Sequence, residues 1–114
     1  MRHKDRIVLQ KLISEIDIGE KMLGDASMET FCYDEMRKRA VSMTVINIGE
    51  LIKNISEEMR FAHPEVPWKA VAGMRDLTAH KYQTLRMEDV YNTVKTDFPA
   101  LRRMLFKILE EDGQ

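Results

Sequence analysis

Between residues 34 and 59 the apolar side chains Val41, Val45, Ile48, Ile52, Ile55 and Met59 recur at alternating spacings of four and three. This rhythm is the strongest constraint the chain places on its own fold, because an α-helix gathers such positions onto one face and a strand scatters them. A second line, Ala40, Thr44, Ile48, Leu51 and Ile55, runs beside the first. A helix with two adjacent apolar lines has more apolar surface than one neighbour can cover. A long central helix is therefore expected, packed on several partners and contributing to a helical dimer interface. Gly49 interrupts it at a cost of ~1 kcal/mol, which the close approach of another helix would explain.

The same period recurs on both sides. Over residues 5–22, Val8 or Leu9, Leu12, Ile13 and Ile16 form one stripe that continues to Leu23, with Gly24 placed to cap the end. Ser27, with Met28 and Phe31 after it, is suited to open a short helical turn near Cys32, a small buried apolar filler. Pro64 and Pro67 break the chain, since a residue before proline is biased away from helix. A helix over residues 87–96 turns Val90 and Val94 inward. Pro99 restarts or kinks it, and Leu101, Leu105 and Ile108 or Leu109 carry the last stripe. No run alternates with the period of a strand. These segments predict an all-α fold, an antiparallel bundle of four to five helices, with residues 1–114 as one domain.

Charge and composition narrow the functions available. With 18 basic and 19 acidic residues the net charge is −1, so bulk charge gives no sign of steering to nucleic acid, and any such activity must rest on a local site. No apolar run approaches the ~20 residues of a membrane span, and no signal-like segment follows Met1-Arg2-His3-Lys4. The expected location is the cytoplasm, with no membrane association. Cys32 is alone, which excludes an internal disulfide and a cysteine metal cluster. The three histidines show no metal-ligand spacing, and neither a phosphate-binding loop nor a dinucleotide fingerprint occurs. No metal or cofactor is expected.

The polar residues suited to chemistry concentrate in residues 66–82, VPWKAVAGMRDLTAHKY. Pro67 is tolerated in a first helical turn, and Trp68 reads as a core anchor. Asp76 and His80, four residues apart, share a helical face, so the carboxylate can orient the imidazole. Arg75 and His80 are five apart, roughly 140° around a helix and about 7.5 Å along it, so a second subunit would help to bring them onto one ligand. An arginine presents a fixed fork of donors to phosphate, and an imidazole takes and returns a proton near neutral pH. Together they can transfer a phosphoryl group without a metal.

Arg75, His80 and Tyr82 together resemble the R-x4-H-x-Y signature of the HEPN superfamily, in its HepT-like toxin branch. Val66-Pro67-Trp68 followed by Gly73 resembles that branch's I/V-P-W…G-x-R segment, and Ile48-Gly49-Glu50 its I-G-E turn, and the resemblance covers about residues 4–109. It implies a homodimeric, metal-independent RNA endonuclease, the toxin of a type VII-like toxin–antitoxin system whose antitoxin partner is a minimal nucleotidyltransferase. In this pattern Arg75 holds the scissile phosphate and His80 handles the 2′-hydroxyl or leaving-group proton. Tyr82 receives inhibitory AMP from the antitoxin. Asp76 stands where the branch often has asparagine. It either pairs with Arg75 and weakens its hold on phosphate, or faces His80 and raises the imidazole pKa. Thr84-Leu85-Arg86 also departs from the branch, whose members often carry an apolar-Val-Asp run there. The alternative reading is a catalytically weak or inactive helical partner that serves as substrate of a nucleotidyltransferase; a helical dimer with some other ligand is a third.

Overall fold

A computed structural model describes residues 1–76 and 86–113, with the backbone alone for Arg75 and Asp76. The fold is all-α, and among the described residues there is no strand. The chain runs through α1 (His3–Leu23), α2 (Met28–Tyr33), α3 (Glu35–Leu51), α4 (Glu57–Ala62), α5 (Trp68–Ala72), α6 (Met87–Asn92) and α7 (Phe98–Asp112). Single 3-10 turns, Ile52–Asn54 and Gly73–Asp76, follow α3 and α5, and a π-turn, Thr93–Asp97, joins α6 to α7.

Local chemistry sets most of these ends. Gly24 closes α1 at φ 59°, a left-handed conformation that favours glycine, and its N–H donates to the Glu20 carbonyl. Ser27, Asp34 and Ser56 cap α2, α3 and α4 by accepting from the backbone N–H of Thr30, Arg37 and Met59. The Ser56 cap corrects the expectation of one helix across residues 34–59. The backbone tightens at Ile52–Asn54, leaves the helix at Ile55 and restarts at Glu57. At 17 residues α3 is shorter than the 21-residue α1, yet it is central, packed against α1, α2, α5 and α6.

Pro99 restarts the helix as expected, since it lies in the first turn of α7, just after the π-turn that separates α7 from α6. Residues 87–112 are helical throughout, and the wider π-turn just before the proline absorbs the difficulty. Within an α-helix the proline ring would press on the carbonyl four residues back, and its missing N–H would leave that carbonyl unpaired. A π-turn shifts the local pairing.

Side-chain contacts fix α1 antiparallel to two partners at once. On one side Glu15 accepts from Asn47 at 3.0 Å, and Arg37 reaches the Leu23 carbonyl at 3.5 Å. On the other, Asp17 accepts from Arg102 at 2.7 Å, and Asp112 pairs with Arg6. Between them lies one core, with Leu9, Leu12, Ile16, Val41, Val45, Ile48, Phe98 and Leu105 fully buried. Asp5 is also buried, and its carboxylate accepts from the Ser56 backbone N–H at 2.9 Å and the Ser56 hydroxyl at 2.6 Å. The bond ties the start of α1 to the cap of α4, and the two partners satisfy a charge that would otherwise be expensive to bury.

Among the described residues, a very close approach occurs at Gly19. A Cβ built there would lie 2.6 Å from the Thr44 hydroxyl oxygen and 2.8 Å from the Phe98 ring. Overpacking of this kind costs ~1–3 kcal/mol, more than the ~1 kcal/mol that alanine gains over glycine inside a helix. Gly19→Ala is therefore expected to lower the urea unfolding midpoint. Gly73→Ala, whose Cβ would meet nothing within 4 Å, should leave the midpoint unchanged or raise it. A Gly19→Ala midpoint at or above that of the parent protein would contradict this packing.

Candidate functional site

The element that delivers Arg75 is anchored from within. Val66, Trp68 and Val71 are buried in the core, and Trp68 satisfies its indole N–H on the His63 carbonyl at 2.9 Å. The Val66 N–H donates to the same carbonyl at 3.2 Å, so one backbone oxygen gathers the break around both prolines. Trp68 is thus a core anchor, and His63 is the residue that ends α4, its ring nitrogen 3.1 Å from Glu65.

From that anchor α5 runs for only five residues before the backbone tightens into the 3-10 turn Gly73–Asp76, which packs on α3. Arg75 and Asp76 therefore sit at the end of a 3-10 turn, with three residues per turn, and not on the regular α-helix that the sequence suggests. Pro67 lies just ahead of α5, one position earlier than expected. His80 and Tyr82 lie outside the described residues, as do Lys81, Thr84 and Leu85.

The chain is described again from Arg86, beside the middle of α3: the Ser42 hydroxyl lies 4.0 Å from the Met87 sulfur. Glu88 approaches Arg86 at 3.6 Å and takes the Cys32 thiol at 3.7 Å. Cys32 is half-buried and not the enclosed filler expected of it. Burial, followed by the charge and hydrogen bond of Glu88, raises its pKa above the ordinary 9.0. That is opposite to what a nucleophilic thiol needs.

Glu50 is exposed and pairs with Lys53 at 3.0 Å. It lines an open groove between α1 and α3 together with Lys11, Ser14 and Asn47. Farther along, the same face turns apolar. Ile18 and Met22 on α1, and Met36 and Met43 on α3, are exposed at 40%, 45%, 84% and 55%, and the antiparallel register sets the two pairs alongside each other. Exposed apolar side chains are unremarkable singly; four on one face mark a surface suited to a partner. No three of the described histidine, cysteine, aspartate and glutamate residues cluster as a metal site would require. No described helix is long and apolar enough to cross a membrane.

An all-helical domain with an arginine delivered at an anchored turn is the class that the fold and sequence define together. The model of the family described as ribonuclease HepT-like matches residues 12–108. Similar proteins include a candidate RNase of Caldanaerobacter subterraneus subsp. tengcongensis, 31% identical over 94% of this chain and 96% of its own. A candidate ribonuclease HepT of Thermococcus cleftensis is 33% identical over 93% and 94%. A Methanocaldococcus jannaschii protein named as a gamma-glutamylcyclotransferase and candidate RNase is 32% identical over 97% of this chain, which spans 50% of that relative. The chain belongs to the ribonuclease HepT-like family. No solved structure matches it significantly.

The Cys32 environment has a direct consequence. Alkylation by iodoacetamide is expected to be slow at neutral pH and to approach the rate of a free thiol only above pH 9.0, the ordinary thiol value. Glu88→Gln removes the charge that helps to raise the pKa and should accelerate the neutral reaction. Equal rates in both proteins would dismiss the Glu88 contact.

Proposed function

We propose that this protein is a metal-independent RNA endonuclease acting as the toxin of a type VII-like toxin–antitoxin pair. The observation that carries the reading is the match of the ribonuclease family across residues 12–108, which span Arg75, His80 and Tyr82 in the expected order. Relatives that align with nearly the whole chain are named as candidate RNases. The anchored turn adds support. An arginine meant to hold a phosphate works best on a backbone that does not move when substrate arrives, and Trp68, Val71 and α3 hold that backbone in place.

In this reading Arg75 neutralises the scissile phosphate. His80 accepts the proton of the 2′-hydroxyl as its oxygen attacks phosphorus, and a proton returns to the departing 5′-oxygen. Asp76 orients the imidazole or moderates Arg75. Tyr82 receives AMP from a minimal nucleotidyltransferase antitoxin, whose added charge and bulk close the site. The protein acts as a homodimer, since a two-fold axis can place Arg75 of one chain beside His80 of either. The apolar face of Ile18, Met22, Met36 and Met43 supports that assembly and offers the second copy a surface away from the core. Lys69, exposed on α5, adds local positive charge in an otherwise neutral protein.

Two experiments test this. Purified unmodified protein, incubated with total RNA and a tRNA pool in EDTA, should cut RNA, whereas Arg75→Ala and His80→Ala should lose at least ~100-fold, the lower range for removal of one proton-transfer or charge-stabilising group. Intact RNA with the parent protein would overturn the nuclease reading. Met43→Glu is expected to halve the mass seen by light scattering and to abolish cleavage with the fold retained. A fully active monomer would remove the dimer from the mechanism.

A further inference from the structure

A second cleft lies between α5 and α7, on the element that delivers Arg75. It has a volume of about 250 Å3 and is walled by Pro67, Ala70, Val71, Met74, Leu101 and Met104, with Ala100 at its edge. Among these apolar groups Asp97 supplies the one charge. Its carboxylate has no ion pair or side-chain hydrogen bond among the described residues, although the side chain is exposed; Arg102, on the same helix, pairs instead with Asp17. Asp97 also closes the π-turn, a feature that recurs at functional sites inside long helices.

We propose that this cleft is a base-binding subsite that selects guanine. The inference rests on the RNA-cleaving reading for its relation to Arg75, because Met74 lines the cleft and is the residue immediately before that arginine. The space is smaller than the ~300–1,000 Å3 of sites for drug-sized ligands, and suits a single planar ring system. Apolar walls receive the face of an unstacked base, as single-stranded RNA is commonly read. The two methionines add polarizable sulfur, which packs well against aromatic rings.

Asp97 supplies the selection. A carboxylate only accepts hydrogen bonds, and it accepts best from two parallel donors. Guanine presents such a pair on its Watson–Crick edge, the N1–H and the exocyclic amino group. Adenine and cytosine present an amino group beside an unprotonated ring nitrogen, which faces the carboxylate as a second acceptor. Uracil presents one N–H flanked by two carbonyls that repel it. The expected order is guanine first and uracil last.

The probes are the four nucleoside monophosphates, which share ribose and phosphate and differ only in the base. They are titrated into the full chain carrying methyl-labelled methionine, with Met74 and Met104 assigned by their leucine variants. GMP should move both methyl signals and bind about tenfold more tightly than UMP, within the range of a good bidentate base contact. Asp97→Asn replaces one acceptor by a donor at an exposed position and should bring GMP to the level of UMP. Ala70→Leu, also exposed, should fill the cleft and weaken all four. With RNA as substrate, the parent protein should cut beside guanine and Asp97→Asn should lose that preference.

Four nucleotides of equal affinity, unmoved Met74 and Met104 signals, or a GMP preference that survives Asp97→Asn would each overturn the subsite. GMP binding with uncut RNA would instead reject the nuclease reading and leave the subsite standing. Cleavage without base preference and without selective GMP binding would do the reverse.

Discussion

The architecture depends on one helix meeting two others at the same point. Gly19 of α1 lies against Thr44 of α3 and Phe98 of α7, closer than any side chain would allow. This contact sets the spacing of α1 from its two antiparallel partners, and the spacing decides which faces close. Leu12 and Ile16 on α1, Val45 and Ile48 on α3, and Leu105 on α7 can all be fully buried because no side chain at position 19 wedges the helices apart. Interiors packed to crystal-like density respond to a single methyl group, so this glycine is a structural requirement and not a weak point in α1.

With the three long helices fixed, the shorter elements have one place to go. Asp5 secures the Ser56 cap, α4 ends at His63, and the His63 carbonyl receives both the Val66 N–H and the Trp68 indole. The chain that emerges from Trp68 then packs on α3, and Arg75 follows within two turns. The candidate chemistry thus begins on a backbone whose position is inherited from the core, with little conformational entropy left to lose when a ligand arrives. The cleft beside Met74 and the exposed methionines of α3 have no residue in common.

Most of the fold was legible in the sequence because its helices are amphipathic and well punctuated. Leu12, Ile16, Val41, Val45, Ile48, Val94 and Leu105 all read as inward-facing and all are buried. The reading of one helix across residues 34–59 went astray for an identifiable reason. The seam from Val41 to Met59 keeps helical spacing across a break, since Ile55 and Met59 remain core residues on either side of Ser56. Periodicity reports which side chains are buried and is blind to a short turn between them; the signal that was missed was a serine followed by two glutamates, a helix start. The restart at Pro99 was legible because a proline's local cost is visible in sequence, whereas the π-turn that precedes it is not.

Of the site, the sequence by itself determined the chemical inventory and its order: Arg75, Asp76, His80 and Tyr82 behind a Pro-Trp anchor, in a pattern specific enough to point to the family. Composition also determined that any hold on RNA must be local, as the whole chain is nearly neutral. Tertiary structure alone decided that Gly19 is a point of close packing, that burial and Glu88 raise the Cys32 pKa, and that Asp97 and Met74 line one apolar cleft. These facts join residues tens of positions apart, such as Gly19 with Phe98, Cys32 with Glu88 and Met74 with Asp97. A local period fixes which way each side chain faces on its own helix, but which distant residue it meets is set by how the helices pack.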